Sequence, residues 1–468
     1  MAKQKEMDMT KGPFLKNIIV FAIPLILTGI LQQFYNAADL IVVGFFDGQV
    51  ALAAVGSTGS LHNMIVGLFM GLSVGAGVCV AHHMGAREPE EVHHVVHTSL
   101  LLAAGLGVVI SALGFIFAPQ LLEWMDTPDN VIRSSALYIR IIFLGIPASM
   151  LYNYSAAMVR STGDTKHPLI FLTIAGIINV VLNIVLVAGF HMGVAGVAIA
   201  TVASQVVSAV MILVFMHRSE TCLKFSFRAL RIDPGKLKKI LLIGIPSGLQ
   251  GVLFSLSNVI IQSSINSFGD TVMAGSSAAS NLEGFVYIAM NAIYQVALTF
   301  VGQNVGARTY HNIKKIIWCC IGVVTAIGLI MGGAFLLLRN FLVGLYAPDN
   351  PEVLAAALQR LYIILPTYFM CGIMEVLCGG LRAMGKSITA MVISLAGACG
   401  LRILWINTIF VLVRTPECIY ISYPISWFIT LMFHLIFLLY FTHRLLHPKD
   451  KGKLRVQEAP EKKEQPVG

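Results

Sequence analysis

Long apolar stretches alternate with short polar ones along the whole chain of 468 residues. A helix needs about 20 mostly apolar residues to cross the hydrocarbon core of a bilayer, and twelve stretches reach that length. Because the backbone finds no water inside lipid, each stretch is expected to be a continuous helix. The predicted helices are 14–44, 51–81, 95–117, 131–157, 167–190, 194–216, 240–266, 272–301, 315–338, 353–380, 388–413 and 420–442.

The second half of the chain repeats the first at a spacing of about 222 residues. An apolar chain with two such halves is typical of transporters that bind solutes between them, and six spans per half relate the halves by an axis along the membrane normal. The sequence therefore predicts an all-α membrane protein with two six-helix bundles related by a pseudo-twofold axis along that normal. The matching pairs are Ile23-Pro24 with Ile245-Pro246, Val80 to Arg87 with Val301 to Arg308, Pro128 to Asn130 with Pro348 to Asn350, Leu137 to Arg140 with Ala357 to Arg360, and Arg160 and Gly163 with Arg382 and Gly385.

Composition excludes a soluble globule, because 57% of the residues are hydrophobic, only 12% are charged and the mean hydropathy is +0.80. The net charge of +9 does not indicate a nucleic-acid partner, since Lys and Arg fall almost entirely between the apolar stretches or in the tails. With both termini placed in the cytoplasm, nearly all of the 32 Lys and Arg lie on the cytoplasmic side, which the positive-inside rule favours. The exceptions are Arg133, Arg339 and Arg414 outside and Arg140, Arg360 and Arg402 within spans.

These patterns divide the chain into five parts. Residues 1–13 are predicted to be a cytoplasmic segment, 14–216 an N-terminal lobe and 240–442 a C-terminal lobe. The linker 217–239 carries seven Lys and Arg and is expected to lie on anionic lipid at the cytoplasmic surface. The charged tail 443–468 has no periodicity and is predicted to be disordered.

The acid in the first predicted span is the strongest functional signal. Asp39 follows Asn36 by three residues and Pro24 by fifteen. A carboxylate at membrane depth costs about 2.5–3.5 kcal/mol, so one retained there usually faces a cavity and handles an ion or a proton. Pro24 removes a backbone hydrogen bond and can bend the helix. The alternative is that the helix ends earlier and Asp39 sits at the outer interface.

Oxygen-bearing side chains in other spans of the first half complete this hypothesis. Asn179 and Asn183 are four residues apart and so share a helix face, where their oxygens can ligate Na⁺ or bond a carboxylic acid. Tyr138 and Thr201 offer further oxygens. Hydrogen bonds that merely join neighbouring helices are the structural alternative for each of them.

The second half has two acids inside predicted spans, Glu283 and Glu375. Each could be a protonatable group or a counter-charge for a cationic substrate. The alternative for each is an ion pair with Arg402 or Arg360.

Five histidines between His82 and His97 lack the cysteines and acids of a metal site and are interpreted as interfacial residues. No metal site is predicted beyond Na⁺ at Asp39. Predicted residues of a substrate cavity are Gln32, Asn36, Asn153, Tyr154, Gln250, Asn258, Glu283 and Glu375.

Several of these segments together resemble the multidrug and toxic compound extrusion (MATE) family, of the prokaryotic type, over residues 14–442. The motifs are the segment from Pro24 through Asp39-Leu40-Ile41-Val42-Val43-Gly44, the paired Gly-Ala-Arg loops, Arg160-Ser161-Thr162-Gly163-Asp164-Thr165, and Gly302-Gln303-Asn304-Val305-Gly306-Ala307.

The resemblance implies a cation or proton site in the first lobe at Asp39, Tyr138, Asn179, Asn183 and Thr201, with Pro24 as the bending proline and Gln32 facing the substrate. One departure is that Asn183 stands where several prokaryotic members have a second carboxylate. The site would then hold one formal negative charge, which favours a proton slightly over Na⁺.

These observations predict a secondary antiporter that exports amphipathic, often cationic organic compounds in exchange for H⁺ or Na⁺ by alternating access. No GxxxxGK[ST] motif is present, and no cofactor is expected besides the coupling ion. The predicted partners are an organic substrate and membrane lipid, and the chain is expected to act as a monomer in the bacterial cytoplasmic membrane.

The alternatives to an antiporter are a flippase for a lipid-linked sugar or peptidoglycan precursor, a membrane-embedded enzyme, and a receptor or scaffold. The scarcity of intramembrane arginines counts against the flippase, and no HExxH, paired-aspartate or Ser-His set supports the enzyme.

Overall fold

The computed structural model describes residues 8–125, 127, 129–344 and 350–447, which form helices and connecting loops without strands. Among these residues, eleven helices are long and apolar enough to cross a membrane, and a bent pair makes the twelfth span. The spans, numbered here in chain order, are α1 Phe14–Phe46, α2 Gly48–Ala86, α3 Pro89–Glu123, α4 Asp129–Ser161, α5 Lys166–Gly189, α6 Gly193–Arg218, α7 Pro234–Asn266, α8 Asp270–Gly306, α9 His311–Leu337, α10 Pro351–Thr367 with Phe369–Ala383, α11 Ser387–Leu412 and α12 Pro416–Leu446.

The helices extend beyond the predicted apolar stretches, because several begin in polar sequence outside the hydrocarbon core. α3 begins at Pro89, six residues before its predicted start, with Pro89 at the first helical turn and Glu90 and Glu91 following it. Proline and acidic residues favour a helix start, since the first N–H groups need no helical acceptor and form the positive end of the helix dipole.

The linker between the lobes is shorter than the predicted 217–239, because α6 ends at Arg218 and α7 begins at Pro234. The Asp233 carboxylate caps α7 by accepting the backbone N–H groups of Gly235 at 2.8 Å and Lys236 at 3.1 Å. The Lys236 N–H is the main reason that the pKa of Asp233 lies below its ordinary value. α12 also continues past the predicted end of its span to Leu446, and residues 448–468 of the predicted tail lie outside the described residues.

The tenth span was predicted as one continuous helix over 353–380, and this prediction was wrong. Its two segments, Pro351–Thr367 and Phe369–Ala383, meet at an angle of 47°. Pro366 lies at the break, and proline has no N–H to donate to the carbonyl of the preceding turn. The span therefore bends where that hydrogen bond is missing.

Hydrogen bonds join the two six-helix lobes at the end of the molecule that carries the termini and the linker. His82 Nε2 lies 2.6 Å from the Ala383 carbonyl, and Gln303 Nε2 donates to the Ser161 carbonyl at 2.8 Å. Asn304 Nδ2 donates to the Met9 carbonyl at 2.9 Å, so the segment before α1 is also bound to the second lobe. These contacts join the lobes at one end of the membrane.

Small residues let α2 and α7 cross at close range between the lobes. Gly71 lies against the backbone of Gly248, and Gly75 lies against the carbonyl of Ile240. A side chain at either glycine of α2 would overlap the facing backbone. Close approach through glycine is the usual packing device of membrane helices, which cannot rely on the hydrophobic effect to associate in lipid.

The Gly75→Ala variant is expected to destabilise the crossing, because the added methyl group overlaps the Ile240 carbonyl and overpacking costs about 1–3 kcal/mol. Gly67→Ala is the matched control, since nothing lies near a methyl group at that position of the same helix and both variants gain the same helix propensity. Thermal midpoints of the purified variants in detergent measure the difference. Equal midpoints would contradict the proposed close crossing.

Candidate cation site in the first lobe

The carboxylate of Asp39 on α1 lies among amide and hydroxyl groups of α5 and α6. Asn183 Nδ2 donates a hydrogen bond to Asp39 Oδ1, and Thr201 Oγ1 lies 3.4 Å from Asp39 Oδ2. Asp39 itself is half-buried. Of the two placements left open by the sequence, the structure has the one in which the carboxyl group contacts the asparagine pair inside the lobe.

The two asparagines of α5 form one connected group with this acid. Asn183 Nδ2 also lies 3.3 Å from Asn179 Oδ1, as expected for residues one helical turn apart. Both side chains are buried. The Asn183 Oδ1 atom is buried without a hydrogen-bond partner among the described residues. A buried acceptor without a donor is costly, so this oxygen is a ready ligand for a proton donor or a cation.

Tyr138 of α4 brings a fourth helix to the site. Its side chain is only 7% exposed, and it lies close enough to Asp39 to interact with it electrostatically. The helical pattern of α5 changes immediately after Asn183, where Ile184–Gly189 forms a π-helical turn. Such turns frequently occur at functional sites because they rotate neighbouring side chains out of the regular helical register.

Asp39 forms no ion pair within the described part of the chain, whose salt bridges all involve other acids. Neutral donors alone hold its carboxylate. Adding a proton or Na⁺ would therefore neutralise the group without first displacing a Lys or Arg side chain.

Pro24 lies inside α1, one turn before Thr28, and is buried. Thr28 Oγ1 donates to the Pro24 carbonyl at 2.7 Å. α1 nevertheless continues as one helix from Phe14 to Phe46. The missing proline N–H lowers the cost of bending at this turn, fifteen residues before Asp39.

The residues predicted to line a substrate cavity fall into different environments. Gln32 and Asn36 on α1 and Asn258 on α7 are exposed side chains of the two equivalent helices. Asn153 is half-buried and donates to the Ser149 carbonyl at 2.8 Å, whereas Tyr154 is fully buried and its hydroxyl has no partner among the described residues. The shared cavity remains a prediction for this group.

The second lobe holds one buried pair of opposite charges. Glu283 and Arg360 form a buried bidentate ion pair, with both N···O distances at 2.8 Å, and Arg360 Nη1 also donates to Ser276 Oγ at 2.8 Å. The structure thus has the pairing with Arg360 that the sequence left open, and a cavity role for Glu283 remains a prediction. Ser276 was not identified from the sequence, where nothing distinguishes it from the other small polar residues of α8.

Two other predicted cavity residues belong to the same lobe. Gln250 is buried, and its Oε1 accepts from Arg382 Nη2 at 2.8 Å. Glu375 is half-buried and forms no ion pair within the described ranges.

The histidines between His82 and His97 have partners among themselves and with a surface acid. The ring of His93 stacks on that of His97, and His83 Nδ1 lies 2.7 Å from Glu88 Oε2. In the described part of the chain, no three His, Cys, Asp or Glu residues are grouped so as to hold a metal.

Family comparison matches both halves of this architecture. The model of the MatE family matches residues 24–185 and again 246–406, so that each lobe carries one copy. The chain belongs to the MatE family. This MatE protein is 28% identical over 432 residues to "Probable multidrug resistance protein YoeA" of Bacillus subtilis (strain 168), covering 89% of this chain and 92% of the relative. It is 21% identical over 404 residues to "Multidrug export protein MepA" of Staphylococcus aureus (strain MW2), covering 86% and 89%.

Solved structures agree with the fold of the MatE protein. The structure described as MATE in complex with MaL6 superposes with a TM-score of 0.89 at 20% identity, covering 95% of this chain and 100% of the other. A structure described as the outward-facing conformation of a multidrug resistance MATE family transporter gives a TM-score of 0.88 at 20% identity, with the same coverage. The twelve-helix, two-lobe fold is thereby established for this multi-pass membrane protein.

Proposed function

We propose that this MatE protein is a secondary antiporter that exports amphipathic, often cationic organic compounds in exchange for H⁺ or Na⁺. The observation that supports the proposal most is the Asp39 carboxylate, held inside the first lobe by Asn183 and Thr201 and free of any ion pair within the described residues. Intramembrane acids usually mark ion or proton pathways. The names of the bacterial relatives support drug-like substrates, and they give no support to the flippase alternative.

The coupling step is a change of hydrogen bonding between α1 and α5. An ionised Asp39 only accepts hydrogen bonds, and it receives one from Asn183 Nδ2. A protonated Asp39 has a donor of its own, which the free Asn183 Oδ1 can accept once the amide rotates. With Na⁺, the same carboxylate and the oxygens of Asn179, Asn183 and Thr201 would act as ligands.

This exchange is coupled to substrate movement through the geometry of α1. Binding at Asp39 favours one set of contacts between α1 and its neighbours, and Pro24 lets α1 bend to satisfy them. An ion shifts the balance between two packings of the lobes only by the difference in its affinity for them. Gln32 and Asn36, which lie on the same helix as Asp39, would then change their exposure to substrate.

The proposed orientation places both termini in the bacterial cytoplasm. The contacts of Gln303, Asn304 and His82 close the end that carries the termini, so this arrangement of the lobes would face outward. A monomer supplies every residue of the proposed ion site, and its partners would be the organic substrate and the surrounding lipid.

Purified protein in liposomes tests the proposal through uptake of a fluorescent organic cation, with pH and Na⁺ gradients imposed separately. We expect the pH gradient to drive accumulation, because one carboxylate carries a proton well but surrounds Na⁺ poorly. A one-for-one exchange allows about tenfold accumulation per pH unit, since one unit is worth about 1.4 kcal/mol. Liposomes without protein give the leak rate. If neither gradient drives accumulation of any dye, antiport is refuted.

A further inference from the structure

A small cleft lies between the lobes, away from Asp39 and its partners. The first lobe contributes Ser73 of α2 and Arg160 of α4 to its walls, and the second lobe contributes Gln295 and Thr299 of α8. Apolar side chains such as Leu298 complete the walls. The cleft therefore combines one positive charge with a few polar groups at the junction of the lobes.

The side chain of Arg160 forms no ion pair or hydrogen bond within the described part of the chain. Two hydroxyl groups in the walls already donate to backbone carbonyls of their own helices. Ser73 Oγ donates to the Met70 carbonyl at 2.8 Å, and Thr299 Oγ1 donates to the Gln295 carbonyl at 3.0 Å. A guanidinium group carries five N–H donors and keeps its charge. Such a group at the C-terminal end of α4, without an acidic partner, has donors available for an anion.

The duplicated half shows how the same arginine is otherwise satisfied. Arg382, the counterpart of Arg160, donates to the Tyr294 hydroxyl at 2.5 Å and to Gln250 Oε1 at 2.8 Å. The counterpart of Tyr294 in the first half is Ser73, a wall residue of the cleft. The counterpart of Gln250 is Thr28, whose hydroxyl donates to the Pro24 carbonyl. The cleft thus lies where the other half has a tyrosine ring.

We propose that this cleft binds a small monovalent anion, either chloride or a carboxylate group, between Arg160 and Gln295. The guanidinium supplies the charge from the first lobe, and the amide N–H₂ of Gln295 supplies a donor from the second. An anion bound there contacts both lobes and stabilises the packing in which they meet. The site is independent of the proposed antiport, because binding requires neither a coupling ion nor an exported substrate.

The direct test is the thermal midpoint of the purified protein as one anion replaces another at constant sodium and ionic strength. A bulky sulfonate, HEPES, serves as the reference, and chloride and acetate are titrated against it in separate arms that distinguish the inorganic ion from the carboxylate. We expect a saturable rise of about 2 °C or more with one or both anions. Arg160→Gln should lose the rise, whereas Arg140→Gln on the same helix should keep it.

Two further variants test the geometry of the cleft without removing its arginine. Ser73→Tyr should fill the cleft as Tyr294 does in the other half, and Gln295→Glu should supply a built-in carboxylate. Both are expected to have midpoints that no longer respond to chloride or acetate. A wild-type protein with no saturable response, or an Arg160→Gln variant that responds as the wild type does, would show that the cleft holds water only and would overturn the proposal.

Discussion

Replacing Asp39 by asparagine is expected to abolish ion-driven accumulation of substrate while leaving the folded protein in the membrane. The amide cannot take up a proton or carry the charge that attracts Na⁺, and it fits the space of the carboxyl group. Accumulation in liposomes should therefore fall from about tenfold per pH unit to the level of equilibration. Uptake of a fluorescent organic cation under an imposed pH gradient measures this loss.

The structure also predicts what Asp39→Asn retains. Asn183 Nδ2 can still donate to the oxygen of the new side chain, and the new amide N–H₂ can donate to Thr201 Oγ1, so the thermal midpoint of the purified variant should stay close to that of the wild type. Asp270→Asn is the matched control, because Asp270 is an exposed acid in the first turn of α8. Its accumulation ratio should be unchanged. Full gradient-driven accumulation by Asp39→Asn would remove this acid from the mechanism.

Twelve membrane spans and their grouping into two lobes follow from the sequence, because a backbone in lipid has few alternatives to a helix. The helix ends follow less well. Hydropathy detects only the part of a helix inside the hydrocarbon core, whereas α7 begins at Pro234, capped by Asp233. This start was encoded in Asp233-Pro234-Gly235, a signal that an apolar window does not register.

The grouping of Asn179, Asn183 and Thr201 around Asp39 was predictable from the sequence, but the hydrogen bonds among them were not. Spacing alone places Asn179 and Asn183 on one helix face, and the resemblance to MATE proteins names Asp39 beside them. Neither source indicates that Asn183 Nδ2 serves two acceptors while its Oδ1 has no partner among the described residues. That detail depends on the rotation of α5 about its axis and on the π-helical turn that follows Asn183.

The partners of the charged residues in the second lobe were also not predictable from the sequence. The sequence offered Arg360 and Arg402 as partners of Glu283, and hydropathy cannot choose between them because the choice depends on which helix faces meet. The structure pairs Arg360 with Glu283, whereas Arg402 lies 4.1 Å from the ring centre of Tyr423 and donates to Ser426 Oγ at 2.8 Å. A buried arginine can thus be held by aromatic rings as well as by an acid.

The bidentate pair of Glu283 and Arg360 leads to the second large prediction, which concerns stability. Removing one partner of a buried ion pair typically costs about 3–5 kcal/mol, because the other charge remains in the interior. Glu283→Leu should be the more harmful change, since the guanidinium of Arg360 cannot lose its proton. Arg360→Met should cost less, because a lone Glu283 can become neutral by taking up a proton. Thermal midpoints of the two purified variants in detergent give this order.

The double variant Glu283→Leu with Arg360→Met distinguishes two roles of Glu283, namely that of a stabilising ion-pair partner and that of an acid that binds the substrate. It leaves no uncompensated charge, and replacing a buried ion pair by apolar residues is often nearly neutral, so its midpoint should exceed that of either single variant. Arg414→Met is the control, because Arg414 is exposed in the loop before α12 and forms no ion pair within the described residues. If Glu283 instead serves mainly as a counter-charge for cationic substrates, Glu283→Leu will keep the wild-type midpoint and lose transport of cations. That pattern would contradict the structural role, because the intact Arg360 would then remain buried without its partner at no cost.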